Sequence, residues 1–120
     1  MLTQNANLDG IYAPWAQPAE GVLAALRATG NKDTKVVTLD LAEPVGLDMA
    51  RGGNVAALVA DEAYELGRAM ATAGALGLIG EPAPEFAVAP AVTVTADTVK
   101  EGWNQSLHED PPQTVLDAAK

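Results

Sequence analysis

Four side chains in this sequence have the chemistry to hold a small polar molecule: Trp15, Gln17, Asp40 and Asp61. Trp15 and Gln17 stand in Gly10-Ile-Tyr-Ala-Pro-Trp-Ala-Gln-Pro-Ala-Glu-Gly21, a corner where an ordinary turn would use Gly, Asn or Ser. Asp40 and Asp61 close two short apolar runs, Lys35-Val-Val-Thr-Leu-Asp40 and Val55-Ala-Ala-Leu-Val-Ala-Asp61. An indole face packs on the C–H face of a sugar ring, and each carboxylate accepts hydrogen bonds from hydroxyls. None of the four is a nucleophile beside a base, so the set suits recognition and no catalytic residue is expected. Two plainer roles compete with this one. Aspartates after strands often cap the next helix, and a corner tryptophan can simply pack on a neighbour.

The elements that must position these residues follow from patterning. Ile11-Tyr-Ala is a short apolar run between turn residues and reads as a strand. Pro18 suits the first turn of a helix, where its missing N–H costs nothing. Val22, Leu23, Ala25 and Leu26 give that helix its apolar stripe, and Gly30-Asn31 ends it. The runs closed by Asp40 and Asp61 are the second and third strands, separated by a short helix over 42–51. A longer helix spans 62–79, rich in glycines that would allow close approach to a sheet. Residues 88–95 form a fourth extended segment, followed by short helices over 97–105 and 111–119.

Strands alternating with helices predict an α/β fold: a three-layer parallel sheet with flanking helices, joined by right-handed crossovers. In such a sheet all strands end at one edge, and ligands bind there. That edge would gather Trp15, Gln17, Asp40 and Asp61.

Composition removes other functions. Sixteen acidic residues against seven basic ones give a net charge of −9, which argues against binding nucleic acid or an anionic membrane. With no cysteine there are no disulfides, thiolate nucleophiles or Cys-based metal sites. The single histidine, His108, reads as a solvated tail residue. No cofactor and no metal is expected. The glycines Gly74, Gly77 and Gly80 lie in or just after a helix rather than after a strand, so they read as packing positions, not a dinucleotide loop. The opening Met-Leu-Thr-Gln-Asn-Ala lacks the regions of a secretory signal, and no apolar stretch reaches the roughly 20 residues of a membrane span.

The series Gly10-Ile-Tyr-Ala…Ala19-Glu-Gly-Val-Leu-Ala-Ala-Leu…Gly30, Lys35-Val-Val-Thr-Leu-Asp40 and Gly53-Asn-Val-Ala-Ala-Leu-Val-Ala-Asp61-Glu-Ala-Tyr-Glu-Leu-Gly67 resembles the type I periplasmic sugar-binding proteins. These are the ribose-binding-like solute-binding components of ABC transporters, whose fold is shared by LacI-type repressors. The resemblance covers residues 8–103. It implies a sugar-like ligand held between two lobes, a permease partner, and a periplasmic or membrane-anchored extracellular parent. An effector-binding lobe of a LacI-like regulator is the alternative reading. A receiver-type Mg²⁺-binding domain is a weaker one, since the late-strand lysine of that family is missing.

By position, the family's ligand contacts fall on Trp15, Asp40 and Asp61. Asp40 matches the usual aspartate. Many ribose-binding-like members carry a polar residue where Trp15 stands and Gln where Asp61 stands. The ligand implied is therefore a sugar or another small polar metabolite rather than ribose specifically. The family's members are roughly twice this length, so residues 1–120 are expected to be one partial C-terminal lobe. A lobe without its partner exposes sheet edge and apolar surface, and a homodimer through the exposed sheet edge is expected.

Overall fold

A computed structural model describes residue 5 and residues 7–119. The opening residues read above for a leader, 1–4 and 6, lie outside the described residues, as does Lys120. The strands are β1 (Gly10–Ala13), β2 (Lys35–Leu39), β3 (Val55–Asp61) and β4 (Ala91–Val94). The helices are α1 (Ala16–Thr29), α2 (Glu43–Ala50), α3 (Ala63–Leu78), α4 (Val99–Leu107) and α5 (Gln113–Ala118), with a 3₁₀ turn over Ala96–Thr98.

The four strands form one sheet in the order β1-β2-β3-β4. β1, β2 and β3 are parallel, in the register Ala13↔Thr38 and Leu39↔Val59. Short β-rich runs linked by amphipathic helices dictate this, and the α/β class expected from the sequence is what the chain adopts. β4 departs from the all-parallel expectation and runs antiparallel to β3, pairing Ala91 with Asp61. The physical reason is the path between them. α3 buries none of its residues and does not lie across the sheet. The chain leaves the sheet at Asp61 and returns at the same end, where the Glu62 N–H donates to the Pro90 carbonyl at 3.0 Å.

One core is built on one face of the sheet. Leu23 and Leu26 of α1, Val45 and Met49 of α2, Val99 and Trp103 of α4, and Val115 of α5 pack on Ala13, Val36, Leu58, Ala60 and Val94. Val94 fits against Gly102 so closely that a Cβ on the glycine would lie 2.4 Å from Val94 Cγ2. At the N-terminal end of the strands, buried Asp48 receives Arg27 Nη2 on one oxygen at 3.1 Å and the Val55 N–H on the other at 3.0 Å.

The other face carries no helix among the described residues. Tyr12, Val37, Leu39 and Val59 stand exposed along it. Of the three layers expected, two are present, and the molecule measures 57 × 33 × 17 Å. The glycines of α3 likewise meet nothing: apart from the helix's own backbone, no atom lies within 4 Å of a Cβ built at Gly67, Gly74 or Gly77. The close packing expected of them is absent, because α3 projects from the sheet.

Candidate functional site

Trp15 follows β1 as the N-cap residue of α1, with extended backbone (φ −164°) and no side-chain capping bond. The helix begins two residues earlier than Pro18 suggested. Pro18 still falls in the first turn, where its lack of an N–H removes one of the donors that would have no intrahelical acceptor. This rigid start holds the indole out from the corner, 49% exposed. Gln17 occupies the same first turn and is exposed.

Asp40 follows β2 directly, in the left-handed region at φ 67°. Asp and Asn tolerate this conformation better than most residues. Its N–H donates to the Val59 carbonyl at 3.0 Å, which continues the β2–β3 ladder one step beyond the strand. Asp61 is the last residue of β3 and points to the bare face, in phase with Val59. By register, Trp15, Asp40 and Asp61 stand within about one residue of a common level at the C-terminal edge, on neighbouring strands about 4.8 Å apart.

The capping role weighed for the two aspartates is not the one they adopt. α2 is entered through Ala42 and α3 through Glu62, neither with a side-chain cap. Neither Asp40 nor Asp61 forms a side-chain hydrogen bond or ion pair among the described residues. Two carboxylates with open acceptor sites and a half-exposed indole therefore share one rim. The geometry offers hydrogen-bond acceptors beside an aromatic face, with no nucleophile among them.

The tail adds side chains to this edge that the sequence reading did not place there. The Ser106 hydroxyl donates to the Asp61 backbone carbonyl, and Gln105 Nε2 donates to Glu62 Oε1 at 2.7 Å. His108, expected as a loose solvated residue, stacks on Tyr64 with ring centroids 3.9 Å apart and planes 13° from parallel. A left-handed backbone at φ 55° turns His108 into that contact. No local pattern encodes a contact spanning 44 residues; the only hint was an aromatic early in α3. Among the described residues no group of His, Asp and Glu is arranged to hold a metal ion. No helix there is long and apolar enough to cross a membrane.

A cavity of about 390 Å³ lies at the opposite, N-terminal end of the strands, between Arg27, Asn31, Lys32, Arg51 and Asn54. The amides around it are turned inward: Asn31 accepts from Asp33 and Thr34, and Asn54 Nδ2 donates to the Asn31 and Thr34 carbonyls. It is a structural joint. The rim of Trp15, Asp40 and Asp61 is instead an open wall.

A one-core α/β fold with free carboxylates at the ends of its parallel strands has the architecture of a binding-protein lobe. Residues 1–82 match the periplasmic binding protein domain, and the chain belongs to that family. An ABC transporter solute-binding protein from Agrobacterium vitis, solved with bound allitol, is 30% identical over 83% of this chain and 36% of its own, with a TM-score of 0.70. An ABC sugar transporter subunit from Rhodobacter sphaeroides 2.4.1 is 30% identical over 79% of this chain and 35% of its own, with a TM-score of 0.65. A 5-methylthioribose transporter solute-binding protein from Thermotoga lettingae shares the fold at 18% identity, covering 98% of this chain and 41% of its own, with a TM-score of 0.74. This chain therefore spans well under half the length of these solved relatives. No curated protein sequence matches it.

Proposed function

We propose that this chain is the C-terminal-lobe portion of the solute-binding component of a carbohydrate ABC transporter, working outside the cytoplasmic membrane with a permease partner. Its ligand is a sugar or polyol, and the chain binds without catalysing a reaction. Trp15 stacks on the apolar face of the ligand, while Asp40, Asp61 and Gln17 take its hydroxyls. The observation that carries this reading is the pair of unengaged carboxylates, Asp40 and Asp61, beside a half-exposed Trp15 at one sheet edge. Membership of a family of binding proteins, and 30% identity to a protein solved with allitol, support the ligand class.

One lobe leaves a bound ligand open to water on its far side, so its affinity falls well short of a closed two-lobed cleft. Calorimetric titration with pentoses, hexoses and sugar alcohols tests the proposal. Millimolar binding of at least one, abolished by Asp40→Ala, is expected. Binding that survives removal of Trp15, Asp40 and Asp61 together would overturn the assignment of the site.

A further inference from the structure

We infer that His108 is a positioning residue for the ligand rim: stacked on Tyr64, it lets the last turn of α4 set the corner that carries Asp61. The inference rests on the proposed binding role of Asp61. The strand-to-helix corners of the rim are stiffened in different ways. Pro14 and Pro18 fix the backbone on either side of Trp15 at the first, and Pro44 stands in the first turn of α2 at the second. The third corner, from Asp61 into α3, has no proline. Glu62 enters the helix at φ −74° and ψ 74° without a side-chain cap. Pairing with Ala91 and the Glu62–Pro90 bond hold this corner on the β4 side only.

The remaining support comes from the end of α4. The Ser106 hydroxyl donates to the Asp61 carbonyl, Gln105 Nε2 donates to Glu62 Oε1 at 2.7 Å, and the His108 ring lies 3.9 Å from that of Tyr64. One turn of α4 thus reaches Asp61, Glu62 and Tyr64. It is a firm support because α4 is rooted in the core. Val99 and Trp103 are buried, and Gly102 is pressed against Val94. Beyond the helix, buried Pro111 pins the chain that follows His108.

Of these side chains, His108 is the one on an unfavourable backbone. It closes α4 at φ 55°, where its N–H donates to the Asn104 carbonyl at 2.8 Å. Glycine is the usual residue at a left-handed helix end, and histidine is less at ease there. Closing the helix needs only the N–H, so what histidine adds over glycine is its ring. Tyr64 is 47% exposed and His108 is exposed too, so the pair contributes little to the core. What a parallel stack does supply is orientation. It fixes the first turn of α3, and with it the backbone that aims the Asp61 carboxylate.

The test has one arm without ligand and one with it. Amide hydrogen exchange on the whole chain reads the corner at the Glu62 N–H, bonded to the Pro90 carbonyl, and the Leu66 N–H, bonded to the Glu62 carbonyl. His108→Gly and Tyr64→Ala should each speed exchange there roughly two- to tenfold. Tyr64→Phe, which keeps the ring, should behave as wild type. The Ala19 N–H, bonded to the Trp15 carbonyl at the first corner, should not change. No change at Glu62 and Leu66 overturns the inference, and so does equal acceleration at Ala19, which would mean general loosening. NMR titration then uses whichever pentose, hexose or sugar alcohol binds the wild type best. His108→Gly should weaken it roughly two- to tenfold, yet add nothing in an Asp61→Ala background, where no carboxylate is left to aim. A further loss in that background overturns the positioning role. If no sugar binds the wild type, the proposed function fails, and exchange at Glu62 and Leu66 still decides whether His108 holds the corner.

Discussion

Ser106 reaches back across the chain to donate its hydroxyl hydrogen to the backbone carbonyl of Asp61. This bond fastens α4 to the end of the strand that carries a candidate ligand residue. Ser106 is buried, so Ser106→Ala would leave the Asp61 carbonyl without that donor in a place water reaches poorly. A loss of about 1–3 kcal/mol in urea unfolding is expected. A change below a few tenths would mean the carbonyl finds water instead.

Gly102 gives a prediction whose sign opposes helix propensity. Within a helix, Gly→Ala ordinarily gains up to about 1 kcal/mol. Here the added methyl would meet Val94 Cγ2 at 2.4 Å, with the whole of Val94 buried behind it. Overpacking of this kind costs about 1–3 kcal/mol, so the clash wins and Gly102→Ala destabilises. Adding Val94→Ala should recover less than the full loss, since it opens space at the cost of core contacts. Thermal melts of the single and double variants give the comparison.

Asp40 separates stability from binding. Its left-handed backbone suits aspartate better than most residues, and glycine better still. Asp40→Gly should therefore leave the fold as stable or slightly more so. The same change removes a carboxylate that no other described residue uses, so sugar affinity should vanish. Denaturant titration and calorimetry on one preparation read both effects.

The two tryptophans report on different places. Trp103 is 6% exposed in the core and Trp15 is 49% exposed at the rim. In Trp15→Phe, the remaining emission should be blue-shifted, poorly quenched by acrylamide and unmoved by sugar. In Trp103→Phe, emission should shift when sugar is added. Trp15→Ala should change stability by less than about 0.5 kcal/mol, as expected of a surface position.

Arg27 and Asp48 are unequal partners. Arg27 is largely exposed, and its loss should cost no more than about 1 kcal/mol. Asp48 is buried and also accepts the Val55 N–H. Asp48→Ala strands that donor and the space around it, so about 2–3 kcal/mol is expected. Equal losses for the two variants would place the whole effect in the ion pair.

The three parallel strands and their helices were legible in the sequence because each is a local pattern. β-branched runs ended at Asp40 and Asp61, an apolar stripe ran along α1, and Gly30 took the left-handed cap it suggested. What escaped depends on distance. Whether α3 lies on the sheet is decided by what its glycines can touch, and that is set by the whole chain. The direction of β4 depends on α3 in turn. At the site, local reasoning found the ends of three strands. It missed Gln105, Ser106 and His108, because nothing near residue 105 encodes a partner near residue 62.

The one-sided core should also show in calorimetry. A chain of 120 residues ordinarily unfolds with a heat-capacity increase of about 1.4–1.8 kcal/mol/K, most of it from newly wetted apolar surface. Here Tyr12, Val37, Leu39 and Val59 are already wet in the folded monomer, so the increment should be smaller. The stability curve flattens accordingly, giving a broad melt and a weak response to cooling. Burying that face would restore the larger increment and sharpen the melt.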